Sequence, residues 1–176
     1  HIVPEVIEVI KAYEKSGHCK IPVIAAGGLY TGEDIYRLMQ LGATGVQLGS
    51  KFVTTEECDA SPVFKQAYID AGQSDIEIIT SSVGMPGRAI SGEFTRKVKS
   101  GSEKPRRCAF HCIKTCDYTK SPYCIIKALY NAAKGNMQKG YAFAGANAYL
   151  SQKIVSVRET IDTLKKEFMQ AKESVK

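Results

Sequence analysis

Helical and strand patterns alternate over the first fifty residues, and this alternation limits what the chain can fold into. Residues 2–15 predict an amphipathic helix, because apolar residues recur there at spacings of three and four. Residues 21–26 and 45–50 are short apolar runs typical of buried parallel strands, and between them a second helix begins at Thr31 and is closed by Gly42. This order predicts βα units around a parallel sheet, so the chain belongs to the α/β class.

The pattern changes after residue 60. The sequence predicts a helix over 62–71, a strand over 76–82, a glycine-rich loop over 84–92, an irregular stretch over 99–123, and helices over 124–135 and 153–170. We expect the last helix to pack on the body of the protein rather than to form a coiled coil.

The length of the chain sets a limit on the parallel sheet. A complete (β/α)₈ TIM barrel needs about 250 residues, whereas this chain has 176 and shows parallel βα units only before residue 60. We therefore predict the C-terminal part of a (β/α)₈ TIM barrel in residues 1–60, followed by a mainly helical, cysteine-containing region in residues 61–176.

Charge and hydropathy give no support for a nucleic-acid or membrane partner. Residues 101–176 carry 14 Lys and Arg against 6 Asp and Glu, but they contain no recognisable RNA-binding or helix-turn-helix pattern. No apolar run approaches the roughly 20 residues that cross a bilayer, and the first residues lack the pattern of a secretory signal. We predict a cytoplasmic protein with a small-molecule substrate and without a nucleic-acid or membrane partner; the sequence leaves its oligomeric state open.

Small residues follow both predicted parallel strands. Gly27 and Gly28 end the first strand, and Gly49 and Ser50 end the second. Glycine lets the backbone approach a ligand closely, and the N–H groups of such a turn and of the helix that follows bind anions. In TIM barrels the loops after the last two strands commonly bind phosphate. The sequence thus indicates a phosphate site, although tight Gly-Gly turns also occur in α/β proteins without one.

Longer motifs around these glycines resemble the nitronate monooxygenase family, formerly called 2-nitropropane dioxygenases, which includes the FMN-dependent enoyl-ACP reductases. The resemblance is close over residues 2–58 and strongest in the Gly-Val-Gln-Leu-Gly-Ser-Lys-Phe motif at 45–52. It continues more loosely through residues 85–90 and 142–149.

The resemblance implies non-covalently bound FMN at the C-terminal mouth of a barrel. Its cofactor-binding residues would be Ala26, Gly27, Gly28, Gln47, Gly49 and Ser50, with Gln47 beside the ribityl chain or ring. Candidates for the substrate side are Arg88, Asn147 and Tyr149. The implied activity is oxidation of alkyl nitronates with O₂, giving a carbonyl compound and nitrite.

Two alternative functions stay open. The first is an NAD(P)H-dependent flavin reductase or an FMN-dependent enoyl-ACP reductase, and the second is a non-catalytic module that binds a phosphorylated ligand or a metal. The family's catalytic histidine lies well before the position of His1, and His18 has the setting of an ordinary loop histidine. We therefore assign no catalytic residue and expect the catalytic base to lie outside this chain, which we expect to be a C-terminal fragment.

Four cysteines, Cys108, Cys112, Cys116 and Cys124, lie within 17 residues. Three interpretations are open: ligands of a metal ion or iron–sulfur cluster, reduced cysteines that pack a loop, and redox-active thiols. Their spacing matches none of the common zinc or ferredoxin patterns. The basic neighbours Arg106 and Arg107 would stabilise a negatively charged cluster.

Overall fold

The computed structural model describes residues 2–17, 19–114 and 116–174. Within this part of the chain the helices are α1 (Ile2–Lys15), α2 (Gly32–Gln40), α3 (Ser50–Val53), α4 (Pro62–Asp70), α5 (Glu93–Lys99), α6 (Ile125–Ala133) and α7 (Val157–Glu173). The strands are β1 (Ile24–Ala26), β2 (Gly45–Gln47), β3 (Ile76–Thr80) and β4 (Pro86–Ile90). Short 3₁₀ turns occur at Gln73–Asp75, Met137–Lys139 and Ala148–Leu150. The α/β class predicted from the sequence is confirmed.

Strands β1 and β2 pair in parallel in the first part of the chain. Ile24 lies opposite Gly45 and Ala26 opposite Gln47. Ala25 packs with Leu38 of α2 and with Ala43 in a small apolar core. This sheet has two strands, and its other face is open, so the prediction of a fully buried strand over 21–26 is wrong: Ile24 is 56% exposed.

The second sheet corrects another prediction. The sequence predicts a glycine-rich loop over 84–92, which is wrong: Pro86–Ile90 form β4, which pairs antiparallel with β3. On the other side of β4, the Ile90 N–H donates to the Ala142 carbonyl at 3.0 Å, and the Ala144 N–H donates to the Arg88 carbonyl at 2.9 Å. Residues 142–144 thus continue the sheet, which leads the chain back toward β1 and β2.

Two apolar clusters fill the space around the second sheet. The first includes Tyr68, Ile90 and Ala142, and the second includes Phe94, Tyr123 and Tyr141. In the second cluster the Tyr123 and Tyr141 hydroxyls are hydrogen-bonded at 3.0 Å, so their polar atoms are satisfied inside the core. Short helix α5, which the sequence analysis did not predict, supplies Phe94 to this cluster.

Helix α7 packs on α2, which confirms the prediction that the last helix packs on the body of the protein. The Phe168 ring contacts Tyr36 edge-on with 5.5 Å between ring centroids, and Leu164 is buried. The helix begins at Val157, whose N–H donates to the Glu57 carboxylate at 2.8 Å. The last helix therefore anchors to the first part of the chain at both α2 and Glu57. The proposed division at residue 60 stays a prediction.

Candidate anion and flavin site

The two parallel strands end side by side. Because Ala26 is in register with Gln47, the residues that follow them, Gly27 and Gly28 on one strand and Gly49 and Ser50 on the other, emerge at the same edge of the sheet. We call these four residues the cradle. Their positions at the ends of the two predicted strands group the same four residues in the sequence.

Glycine is required in the first half of the cradle. Gly27 has φ +87° and Gly28 has φ +70°, both in the left-handed region that L side chains rarely adopt. Apart from its neighbours in the chain, no atom of the described residues lies within 4 Å of the position that a Cβ would take at either residue. The backbone is therefore accessible to a ligand at this turn.

Helix α3 provides the second half of the cradle. The helix begins at Ser50, and its N-cap, Gly49, makes no side-chain capping hydrogen bond. In this four-residue helix the Phe52 N–H donates to the Gly49 carbonyl at 3.0 Å, so the Ser50 and Lys51 N–H groups are the ones without an acceptor in the helix, and such groups carry partial positive charge. No atom lies within 4 Å of a Cβ built at Gly49. Uncapped donors beside open space fit a phosphate group.

The start of α2 is not an open anion site, because carboxylates of the protein already accept hydrogen bonds there. Thr31 and Asp34 form a reciprocal capping box, in which the Asp34 carboxylate accepts from the Tyr30 and Thr31 N–H groups. These hydrogen bonds hold the pKa of Asp34 below its usual value, against the opposing effect of burial. Glu167 of α7 accepts from the Gly32 N–H at 2.7 Å. The helix start after Gly28, which we had included in the anion site, is therefore filled by carboxylates.

Residues 142–149 reach the cradle from the other side. The Asn147 side chain donates to the Gly28 carbonyl at 2.8 Å, and the Ser50 hydroxyl accepts from the Gly145 N–H at 2.8 Å. Both contacts bridge more than ninety residues of sequence. They hold the two halves of the cradle to one segment and leave the Ser50 hydroxyl proton available as a donor.

Tyr30 and Lys51 flank the cradle, although the sequence analysis did not select either as a site residue. The Tyr30 hydroxyl is hydrogen-bonded to Ser151 at 2.8 Å, and burial raises the pKa of Tyr30. The Lys51 ammonium lies 4.1 Å from the centroid of the Tyr30 ring. Burial lowers the pKa of Lys51, while the nearby Glu167 carboxylate opposes that change. The sequence signal for Lys51 is its place directly after Ser50 in the motif at residues 45–52.

Other predicted site residues lie apart from these contacts. Ala26 and Gln47 end their strands at the cradle edge, and both are exposed. Arg88 lies on an exposed position of β4 rather than in a loop, and Tyr149 lies half-buried in a 3₁₀ turn. Within the described part of the chain, no hydrogen bond or ion pair joins the Arg88 or Tyr149 side chain to the cradle. His1 and His18 lie outside the described residues.

All four clustered cysteines line one small cavity of about 30 Å³. Cys112 and Cys116 are exposed, Cys108 and Cys124 are half-buried, and all four thiols are free. Among the described residues, no three His, Cys, Asp or Glu side chains are already placed to hold one metal ion. The irregular backbone predicted for residues 99–123 is confirmed after α5 ends at Lys99.

The described helices include none that is both long enough and apolar enough to cross a membrane.

Fold and cradle together define an α/β protein with a candidate anion-binding site at the carboxyl ends of two parallel strands. The family model described as nitronate monooxygenase matches residues 1–167. The chain therefore belongs to the nitronate monooxygenase family, and the resemblance seen in its motifs is confirmed.

Individual relatives agree with this family. A probable nitronate monooxygenase of Staphylococcus saprophyticus is 40% identical over 78 residues, which are 44% of this chain and 22% of that protein. A Mycobacterium tuberculosis protein named (3aS,4S,5R,7aS)-5-hydroxy-7a-methyl-1-oxo-octahydro-1H-indene-4-carboxyl-CoA dehydrogenase is 37% identical over 82 residues, 47% of this chain and 23% of that protein.

The structure of FabK from Thermotoga maritima is similar to this fold. Its TM-score is 0.71 at 28% identity, and the match covers 89% of this chain and 47% of that one. This chain thus corresponds to less than half of the structural relative, and its sequence match spans less than a quarter of the curated relatives.

Proposed function

We propose that the protein is an FMN-dependent oxidoreductase that oxidises alkyl nitronates with O₂, and that this chain contributes the phosphate-binding part of its flavin site. Family membership supports the reaction class. The observation that carries the site is the pairing of two donor-rich strand ends, Gly27–Gly28 and Gly49–Ser50, at one edge of a parallel sheet. We propose further that residues 1–60 are the last βα units of a TIM barrel.

The chain's own groups account for binding and orientation of the cofactor. The uncapped N–H groups at the start of α3 and the Ser50 hydroxyl would donate to the FMN phosphate. Asn147 holds the Gly28 carbonyl, which keeps the turn in the conformation that exposes its backbone. Bound FMN would supply the electron-transfer chemistry. The carboxylates at α2 would direct the phosphate toward α3 instead, because like charges repel.

The flavin site is tested by comparing Gly28→Ala with Gly101→Ala. Both glycines have left-handed backbones, φ +70° and φ +72°, and open space around the Cβ position, so alanine strains both turns by about 1–2 kcal/mol. Only Gly28 lies in the cradle. We expect Gly28→Ala to weaken FMN binding about tenfold or more, equivalent to about 1.4 kcal/mol, as measured by quenching of flavin fluorescence. Equal FMN affinity in both variants would refute the assignment.

The reaction is tested separately by nitrite release from an alkyl nitronate in aerobic buffer. A protein that binds FMN yet releases no nitrite would contradict the monooxygenase activity while leaving the cofactor assignment intact. The assay uses the longest natural form of the protein, because the match to this chain covers 47% of the structural relative.

A second candidate is a flavin reductase that uses NAD(P)H, including an FMN-dependent enoyl-ACP reductase. The M. tuberculosis relative, named as a dehydrogenase of a carboxyl-CoA, favours keeping this candidate. It predicts oxidation of NAD(P)H in the presence of an enoyl thioester and no nitrite release. A non-catalytic module would bind a phosphorylated ligand without turnover in either assay. The small-molecule substrate, the lack of nucleic-acid or membrane partners and the cytoplasmic location remain predictions.

A further inference from the structure

Residues 104–122 form a long segment without helix or strand in its described part. The hydrogen bonds among its described residues are local, such as that of the Cys116 N–H with the Ile113 carbonyl and that of the Lys120 N–H with the Asp117 carbonyl. Structureless segments of this length are uncommon in compact domains unless they serve a function. Hydrogen bonding therefore does not explain how this segment is held to the body, and a cross-link through side chains would.

The four cysteines are the groups in this segment that could form such a cross-link. Three of them, Cys108, Cys112 and Cys116, come from the irregular segment, and all four face the same cavity. Cys124 is the N-cap residue of α6, whose Ala128 is buried in the core. A ligand bound by all four sulfurs would connect the loose segment to a fixed helix.

The turn at Cys108 has a feature suited to a bound thiolate. The His111 N–H donates to the Cys108 sulfur at 3.3 Å, and His111 adopts φ +45°, which is unusual for a residue other than glycine. Backbone hydrogen bonds to sulfur are among the means by which proteins tune thiolate centres. Cys108 thus already accepts the kind of hydrogen bond that a metal-bound sulfur receives.

Charge around the cavity is complementary to a thiolate centre. Four thiolates on a divalent metal carry a net charge of about −2. Arg107 lines the cysteine cavity itself, and Lys104 and Arg106 line the adjoining groove. These cations would offset the negative charge of the centre.

We propose that Cys108, Cys112, Cys116 and Cys124 together bind one four-thiolate metal centre. Since the thiols are not yet gathered at ligand distance, binding draws them together and releases one proton from each thiol. Zinc and a [4Fe–4S] cluster both use four cysteine ligands, so the experiment separates them.

Metal and sulfide analysis of protein purified without oxygen tests the proposal. We expect about one zinc, or about four iron and four sulfide, per chain. Cys112→Ser is the first variant because Cys112 is exposed and its loss should not disturb the core. Cys19→Ser, at an exposed cysteine outside the cluster, is the matched control. Metal content should fall at least severalfold in Cys112→Ser and stay unchanged in Cys19→Ser.

Thiol counting gives a second measurement that does not depend on variants. Of the six cysteines, we expect only Cys19 and Cys58 to react rapidly with a disulfide reagent in the metal-loaded protein, and all six to react after chelation. Protein that contains no metal after anaerobic purification and after incubation with Zn²⁺, or with Fe²⁺ and sulfide, would overturn the proposal. Metal content that is equal in Cys112→Ser and Cys19→Ser would overturn it as well. Neither measurement requires bound flavin or activity.

Discussion

Replacing Gly32 with alanine tests the contact by which α7 is held beside the cradle. A Cβ at Gly32 would overlap the Leu164 carbonyl oxygen and the Phe168 nitrogen, and it would lie 2.7 Å from the Glu167 Cβ. Two of these are backbone atoms within a helix, which cannot rotate away as a flexible side chain can. The substitution therefore forces α2 and α7 apart.

The cost follows from the contacts that this separation breaks. Overpacking in a tight interface costs about 1–3 kcal/mol. The Gly32 N–H would lose its 2.7 Å bond to the Glu167 carboxylate, and hydrogen bonds to charged groups contribute about 1.5–3 kcal/mol. The edge-on contact of Tyr36 with Phe168 adds about 0.5–1.5 kcal/mol. Because the three terms share one movement and do not add fully, we expect a loss of about 3 kcal/mol.

Chemical and thermal unfolding measure this loss. For a chain of this size, about 3 kcal/mol corresponds to a fall in Tm of roughly 6–12 °C. Gly92→Ala is the matched control, because Gly92 has φ −164° and nothing within 4 Å of its Cβ position. Because Gly92 is the N-cap residue of α5, a position that prefers glycine to alanine, that change should cost less than about 1 kcal/mol. If Gly32→Ala unfolded within about 0.5 kcal/mol of the unsubstituted protein, the described packing of α7 on α2 would be refuted.

Three further changes test other parts of the structure. Burial raises the pKa of Tyr68 to about 12. Between pH 10 and 12 the folded state therefore keeps a proton that the unfolded chain releases, and the free energy of unfolding falls by about 3 kcal/mol. Tyr68→Phe should flatten this decline. Asn147→Ala removes the hydrogen bond to the Gly28 carbonyl and should cost about 1 kcal/mol while weakening FMN binding. Gly140→Ala would drive a Cβ into the Ala128 carbonyl of α6 and should cost about 3 kcal/mol.

Each of these changes has a contradicting result, and two of them have a control variant. Tyr130→Phe, at a tyrosine that is 62% exposed, should leave the alkaline decline unchanged, and an equal decline in Tyr68→Phe would contradict the role of Tyr68. For Asn147, an alanine variant with unchanged FMN affinity and unchanged stability would show that its bond to the turn is dispensable. For Gly140, whose φ is −162°, the comparison is Gly92, which has φ −164° and open space around its Cβ position, and an equal change in Tm for both alanine variants would contradict close packing against α6.

Local pattern predicted the longer helices, but not the short α3 and α5, because a helix of several turns is marked by residues three and four positions apart. The stripe of α7 and the amphipathic pattern of α1 needed no knowledge of distant partners. The strand over Pro86–Ile90 was missed for the opposite reason: its glycine and proline suggest a loop, and it pairs with β3 on one side and residues 142–144 on the other.

The candidate site also has some features that the sequence predicts and others that depend on contacts between distant residues. Gly27, Gly28, Gly49 and Ser50 could be grouped from the sequence because consecutive parallel strands end at one edge of a sheet. The occupation of the α2 N-terminus by Glu167 could not be predicted, since 135 residues separate Glu167 from Gly32. Lys51 was quoted in a motif, yet its position over the Tyr30 ring depends on how α3 packs.

By itself, the sequence determined the α/β class, the family, the turn glycines and the clustered cysteines, because these depend on residue types at short spacing. Only the tertiary structure decided which helix start stays uncapped, that Asn147 and Gly145 contact the cradle, and that the four cysteines face one cavity. These features arise from contacts between segments far apart in the chain. Such contacts depend on how whole elements pack, which no local pattern of residues encodes.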